Sequence, residues 1–148
     1  MSKDGVIYSS EQIDVNKKST RVASKWNAEL VNELVGSGKA HLENLGLTNI
    51  KIVSVPGAWE LVHAAQKELV DADGVIVYGV VIRGETTHYE LISESTAQGL
   101  MQVSINAKKP IGFSLIAVEN LAQAQERTNS SKLNKGREVA QSLVEILN

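Results

Sequence analysis

The sequence predicts a parallel, doubly wound three-layer α/β domain, because strand patterns alternate with helical patterns along the chain. Two apolar runs without polar alternation, at 74–82 and 110–118, are typical of parallel strands that are buried on both faces. A helical pattern follows each run. At 148 residues the chain can bury a core without disulfides or metals, and we expect one domain over 1–148.

The other elements follow from local signals. Residues 1–17 are predicted to form an arm with one short extended piece, which needs a partner such as a neighbouring subunit to be stable. A helix over 27–45 has an apolar face and ends at Gly46, although Gly36 and Gly38 weaken its pattern. The remaining predictions are a strand over 50–55, helices over 59–70 and 89–103, a short helix over 119–127, a loop over 128–135 and a last helix over 137–147.

Composition excludes several classes of function. Acids and bases are mixed along the chain, with a formal charge of -2, so no basic face for nucleic acid is indicated and a small metabolite is the expected partner. The absence of cysteine excludes disulfides, thiolate metal sites and a cysteine nucleophile. Neither a signal peptide nor an apolar run of membrane-spanning length is present, and we expect a cytoplasmic protein.

The turn between the strand at 74–82 and the next helix is the predicted active-site turn. Gly84, Glu85, Thr86 and Thr87 bring free backbone N–H groups and two hydroxyls to a helix N-terminus, which attracts anions. A phosphate or carboxylate is therefore expected beside His88. Loops after the other strands should converge on the same crevice, since ligands of open α/β sheets bind outside the carboxyl ends of the strands.

Each candidate side chain also has a reading without chemistry. His88 is a natural proton shuttle at a strand end, but it could be only a solvated residue of a helix start. Arg127 could neutralise the phosphate with a bidentate fork or simply suit the negative end of a helix dipole. Lys135 could be a solvated loop lysine, and Trp26 and Trp59 could serve core packing or offer flat faces to a heteroaromatic ligand. His41 and His63 lie inside helical patterns and are weaker candidates.

Four motifs together resemble the lumazine synthase family. They are VPGAWE at 55–60, VIRGETTHY at 81–89, ENLAQAQER at 119–127 and NKG at 134–136, in the order and spacing of the family. The resemblance covers roughly residue 22 to the C-terminus. It implies a flavodoxin-like domain with a central, mostly parallel four-stranded sheet and an N-terminal arm that adds to a neighbouring subunit.

The resemblance also implies the reaction. A ribitylamino-substituted aminopyrimidinedione condenses with dihydroxybutanone phosphate to give dimethyl-ribityl-lumazine, phosphate and water, the penultimate step of riboflavin biosynthesis. The implied enzyme is a transferase that needs no cofactor and no metal. The implied assembly is a homopentamer, which some members close into a shell of sixty subunits that can hold riboflavin synthase as cargo.

Residue roles carry over by motif. The resemblance implies that His88 is the general acid/base and that Arg127 binds phosphate together with the 84–87 turn. The substrate-binding residues that it implies are Trp26, Asn27, Ala58, Trp59, Glu60, Val81, Ile82, Phe113 and Lys135. Of these, Trp26 is expected to stack on the pyrimidine, whereas Phe113 and Lys135, with Arg127, are expected from the adjacent subunit.

One segment departs from the family pattern. Where the family has an apolar central strand, residues 17–24 read KKSTRVAS. Because a buried Arg21 is expensive without a partner, the sequence predicts that this strand is shorter or more exposed, or that the assumed register is wrong. Two other functions stay open. The polar first strand supports a non-catalytic lumazine-binding or shell-forming homologue, and an archaeal-type riboflavin synthase is the second alternative because it shares the ancestry and fold of the family.

Overall fold

A parallel sheet of four strands organises residues 12–147, the part of the chain that this computed structural model describes. The strand order is β2-β1-β3-β4, and neighbouring strands pair in parallel throughout. The strand bounds are Ser19–Ser24 for β1, Ile50–Val55 for β2, Gly74–Ile82 for β3 and Ile111–Val118 for β4. The predicted limits of β3 are thus confirmed, and all four carboxyl ends lie at one edge of the sheet.

Helices cover both faces of the sheet and complete three layers. The helix bounds are Ala28–Asn44 for α1, Ala58–Glu68 for α2, His88–Ala107 for α3, Leu121–Thr128 for α4 and Lys135–Leu147 for α5. On one face, α1, α4 and α5 bury apolar side chains against Ile76 and Tyr78 of β3. On the other face, α2 and α3 pack against Val75 and Val77 of the same strand. The predicted three-layer α/β architecture is confirmed.

The predicted exposure of the first strand is wrong. All six residues of β1 are buried, and β1 lies between β2 and β3 in the middle of the sheet. Paired strands on both sides satisfy its backbone hydrogen-bonding groups, and this pairing does not depend on which side chains the strand carries. Since β1 ends at Ser24, residues Trp26 and Asn27 follow the carboxyl end of the strand directly.

Arg21 is the unusual side chain of β1, because only 1% of it is exposed. Its Nε and Nη1 atoms, and the nearby hydroxyl of Tyr78, have no hydrogen-bond partner within residues 12–147. Burial lowers the pKa of Arg21, and the charge interactions with Tyr78 and Glu43 partly oppose that shift. Burial also raises the pKa of the Tyr78 hydroxyl above its ordinary value of 10.0. The sheet thus contains a desolvated cation, which is an unfavourable arrangement.

Two glycines allow α1 and α5 to approach closely. A Cβ at Gly136 would overlap the backbone carbonyl oxygen of Leu34, and a Cβ at Gly38 would overlap the hydroxyl of Tyr78. Gly38 therefore makes room for a buried side chain instead of ending α1, which explains why the helix continues through it. A Cβ at Gly36 would meet nothing within 4 Å.

The predicted N-terminal arm lies largely outside the described residues. In its described part, Ile13 is buried in the core on the α1 and α5 face, so this stretch packs on its own chain. The predicted pairing of the arm with a neighbouring subunit involves residues that the structure does not describe. Within residues 12–147, no helix combines the length and apolar composition of a membrane span.

Replacing Arg21 with Met should stabilise the protein. Met keeps much of the side-chain volume and removes a desolvated charge, so we expect the free energy of unfolding to rise by about 1 kcal/mol or more. Thermal and urea denaturation measure the change. Arg21→Lys keeps the charge and serves as the control, which should give no stabilisation; a lower melting temperature for Arg21→Met would contradict the assignment of Arg21 as a buried cation with incomplete hydrogen bonding.

Candidate active site

A cleft of about 490 Å³ opens at the edge of the sheet where β1, β2 and β3 end. Its lining comes from the segments that follow these strands and from the first turns of α2 and α3. The predicted site residues that line it are Trp26, Asn27, Ala58, Trp59, Glu60, Val81, Ile82 and His88. The structure therefore brings together residues that are up to 62 positions apart in the chain (88 − 26).

Asn27 anchors the segment that carries Trp26. Its backbone is left-handed, with φ 56° and ψ 48°, a conformation in which asparagine is enriched among non-glycine residues. Its side-chain Nδ2 donates a 2.8 Å hydrogen bond to the carbonyl oxygen of Val80 in β3. Trp26 beside it is 74% exposed. The indole thus stands at the cleft as an open aromatic face and not as part of the core.

Glu60 belongs to the N-terminus of α2 as well as to the cleft. Its Oε2 accepts a 2.9 Å hydrogen bond from the backbone N–H of Gly57, which precedes the helix. Gly57 also lets Trp26 come close, because a Cβ there would lie 3.3 Å from both the Trp26 ring and Glu60 Oε2. The carboxylate of Glu60 is therefore held in place by its own helix start, with its charge at the positive end of the helix.

The predicted anion-binding turn joins β3 to α3. Residues 84–88 are all exposed, and α3 begins at His88 with Thr87 as its N-cap residue. The side chain of Thr87 makes no capping hydrogen bond, and the N–H of His88 makes only a long one, 3.3 Å, to Thr86 Oγ1. A helix start with little side-chain capping keeps N–H donors for an anion.

Phe113, Arg127 and Lys135 lie elsewhere. They line a second cleft of about 500 Å³ between β4, α4 and α5, and no residue lines both this cleft and the one beside His88. Within one chain, Arg127 is therefore not placed to neutralise a phosphate at the 84–87 turn. The predicted site is divided into two parts that a single chain does not join.

The cations of the second cleft are already held by neighbouring groups. Lys135 Nζ lies 2.7 Å from Glu138 Oε2, and each of these side chains is only 14% exposed. Arg127 Nη1 donates a 3.0 Å hydrogen bond to the carbonyl oxygen of Gln123 and lies 3.5 Å from Glu126 Oε2. These contacts restrict both cations to the wall of the second cleft.

The sequence interpretation missed the partners of these charges. Glu138 could have been found, because it lies three residues after Lys135 on the same helix face. Arg83, which contacts Glu90 and Glu119, joins three elements and gave no local signal.

The weaker histidine candidates behave differently from each other: His41 Nε2 lies 2.6 Å from Gln141 Oε1 and bridges α1 to α5, whereas His63 lines a groove between α2 and α3. Within residues 12–147, no group of three or more acidic or histidine side chains could hold a metal ion.

The fold and the cleft define an open, parallel α/β protein that binds a small molecule at the carboxyl ends of its strands. Residues 17–148 match the sequence model of the family described as 6,7-dimethyl-8-ribityllumazine synthase. The chain therefore belongs to the lumazine synthase family.

Relatives with that name cover nearly all of the chain. The protein from Leuconostoc mesenteroides is 39% identical over 148 residues, which span 97% of this chain and 95% of the relative. The protein from Kineococcus radiotolerans is 38% identical, with 98% and 91% covered. That from Stenotrophomonas maltophilia strain K279a is 37% identical, with 86% and 84% covered. All three are named 6,7-dimethyl-8-ribityllumazine synthase.

The structural role of Glu60 can be separated from a role in binding. Glu60→Ala removes the acceptor for the Gly57 N–H and should lower the free energy of unfolding by about 1 kcal/mol. Glu60→Gln keeps a side-chain oxygen that can accept this bond and should lose much less stability. Urea denaturation of both variants checks the difference. Equal losses for the two variants would show that the charge, and not the hydrogen bond, stabilises the helix start.

Proposed function

We propose that this chain condenses 5-amino-6-(D-ribitylamino)uracil with 3,4-dihydroxy-2-butanone 4-phosphate to give 6,7-dimethyl-8-ribityllumazine, phosphate and water. The observation that carries the proposal is the family match over residues 17–148, supported by relatives at 37–39% identity that bear this enzyme's name. The protein is then a transferase of riboflavin biosynthesis that acts on two small molecules. The proposed reaction uses no cofactor and no metal.

His88 is the proposed proton-transfer residue. Imine formation, phosphate elimination and ring closure all move protons, and histidine is suited to this near neutral pH. Its position supports the role, since it is exposed, lines the cleft and begins α3 directly after the 84–87 turn. If His88 lies beside both substrates, proton transfer and correct positioning accelerate the condensation, and the enzyme needs no strongly nucleophilic side chain.

The proposed phosphate site combines the start of α3 with a cation. The backbone N–H groups of residues 84–87 and the hydroxyls of Thr86 and Thr87 would bind the phosphate oxygens, with the helix dipole favouring negative charge. Arg127 would supply a planar pair of N–H donors. Binding energy from the phosphate would then orient the small ketone for attack.

The aminopyrimidine would occupy the cleft beside β1. The exposed indole of Trp26 offers a stacking face for the ring, and the backbone of Val81 and Ile82 would read its polar edge. The residues that would hold the ribityl chain are Asn27, Ala58, Trp59 and Glu60. The hydrogen bond from Asn27 to Val80 supports this arrangement, because it fixes Asn27 and Trp26 relative to β3.

The proposed site is completed by a second copy of the chain. Phe113, Arg127 and Lys135 line a separate cleft on this chain, so their proposed roles require that they face the His88 cleft of a neighbour. Such a head-to-tail contact uses two different surfaces, and it closes into a ring when the rotation between neighbours allows it. We propose a homopentamer in which the N-terminal arm pairs with the neighbouring subunit. From the family resemblance we further propose a sixty-subunit shell with riboflavin synthase as cargo. The proposed location is cytoplasmic.

Two other functions are outcomes of one assay. Purified protein is mixed with both substrates, and lumazine formation is followed by absorbance against the uncatalysed rate; enhancement supports the synthase. Binding of the aminopyrimidine without enhancement would indicate a non-catalytic homologue. Formation of riboflavin from lumazine alone would indicate a riboflavin synthase. Light scattering on the same sample tests the ring, and a monomeric particle would contradict it.

Substitutions at His88 and Arg127 should affect different kinetic constants. His88→Ala should lower kcat by about 100-fold or more, because it removes the proton-transfer group, while the KM for the aminopyrimidine changes little. Arg127→Ala should chiefly raise the KM for the phosphate substrate. Steady-state kinetics with each substrate varied in turn measures both effects.

The matched control is Arg137→Ala. Arg137 is an exposed arginine on α5, and its side chain makes a long contact, 3.4 Å, with His41. Its replacement should leave the KM for the phosphate substrate unchanged. Small and equal effects of His88→Ala and Arg127→Ala would contradict the proposed roles.

A further inference from the structure

Arg83 connects three elements around the 84–87 turn. Its backbone N–H donates a 2.9 Å hydrogen bond to the carbonyl oxygen of Val118, the last residue of β4. Its side chain reaches α3, where Nη1 lies 2.6 Å from Glu90 Oε1, and the same atom lies 3.7 Å from Glu119 Oε1. The guanidinium carbon is 5.6 Å from the ring centroid of Tyr89. Residue 83 therefore holds both ends of the turn that precedes His88.

The charges around this turn conflict with anion binding unless they are neutralised. Glu85 lies in the turn, Glu90 in the first turn of α3 and Glu119 just after β4. Glu90 Oε2 is buried and has no hydrogen-bond partner within the described residues, although the Glu90 side chain as a whole is 38% exposed. A phosphate at the start of α3 would be repelled by these carboxylates. The guanidinium of Arg83 places a positive charge against two of them.

Stability does not explain this arrangement. The side chain of Arg83 is 43% exposed, and those of Glu90 and Glu119 are 38% and 58% exposed. Ion pairs that are this accessible to solvent contribute little to folding. We therefore expect the contacts of Arg83 to affect mainly the conformation and the local charge of the 84–87 turn, which they span.

We propose that Arg83 is a positioning residue of the phosphate site. It neutralises Glu90 and Glu119 and braces the first turn of α3, so that the N–H groups of the 84–87 turn can donate hydrogen bonds to an anion. Arg83 acts through Glu90 and the helix start and does not itself bind the phosphate. Both the phosphate site at the turn and the identity of its anion as the phosphate of the small ketone rest on the proposed function.

The first test replaces Arg83 with Met in the full-length protein. The KM for the phosphate substrate should rise roughly tenfold, because Glu90 would then repel the anion with no cation beside it. The KM for the aminopyrimidine and the melting temperature should stay close to wild type. Arg83→Lys keeps the charge and should recover most of the affinity. Lys51→Met, which removes the cation of a surface ion pair with Glu68 at 2.9 Å, is the matched control and should change neither KM.

The second test adds Glu90→Gln to Arg83→Met. The double variant should recover most of the lost affinity for the phosphate substrate, because it removes the carboxylate that Arg83 neutralises. If the double variant remains as weak as Arg83→Met, Arg83 binds the phosphate directly and the positioning role is wrong. An equal rise in KM for both substrates, or a large fall in melting temperature, would also overturn it.

Calorimetric titration with inorganic phosphate separates this inference from the proposed reaction. Wild type should bind phosphate more tightly than Arg83→Met by a similar factor, and the double variant should again recover. That result would support the inference even if the wild-type protein forms no lumazine, in which case only the proposed reaction fails. Wild-type protein that binds no phosphate, or binds it as weakly as Arg83→Met does, would refute the positioning role.

Discussion

Strand β1 is hydrogen-bonded along its length to β2 on one side and to β3 on the other, and this double pairing fixes the geometry on which the remaining structure depends. Three carboxyl ends are brought to one edge of the sheet, so the segments that follow them must share a single cleft. The left-handed Asn27 then ties the segment that follows β1 to β3 itself, through the carbonyl of Val80. The cleft is therefore a product of strand pairing more than of any one loop, and the polar composition of β1 leaves that pairing intact.

Charge is distributed around the molecule in separate, locally balanced groups. At the start of α3, the carboxylates of Glu90 and Glu119 face Arg83, while on α5 the carboxylate of Glu138 faces Lys135. The cations of the second cleft are thus paired within the chain and lie apart from the turn before His88. The proposed head-to-tail ring would bring Arg127 and Lys135 of one copy to the His88 cleft of the next.

Prediction from the sequence succeeded where a pattern was local and failed where a partner came from a distant element. The unbroken apolar run of β3 and the Gly-started turn before His88 are local patterns, and both are found where they were expected. The burial of β1 was missed, because a strand that reads Ser-Thr-Arg is judged by its side chains, while its position is decided by the strands on either side. No local pattern indicates that His88 and Arg127 line different clefts; only the family resemblance assigned Arg127 to the adjacent subunit.

The contact between Gly136 and the backbone of Leu34 has a consequence for Lys135, which precedes Gly136 directly. In most helix pairs the separation of the axes depends on the side chains between them, so a change in the core moves everything that the helix carries. Here the main chains of α1 and α5 touch, and no side chain at residue 136 acts as a spacer. The position of the Lys135 Cα is consequently set by the direct backbone contact between α1 and α5. Substitutions of side chains in the surrounding core should therefore shift this atom little.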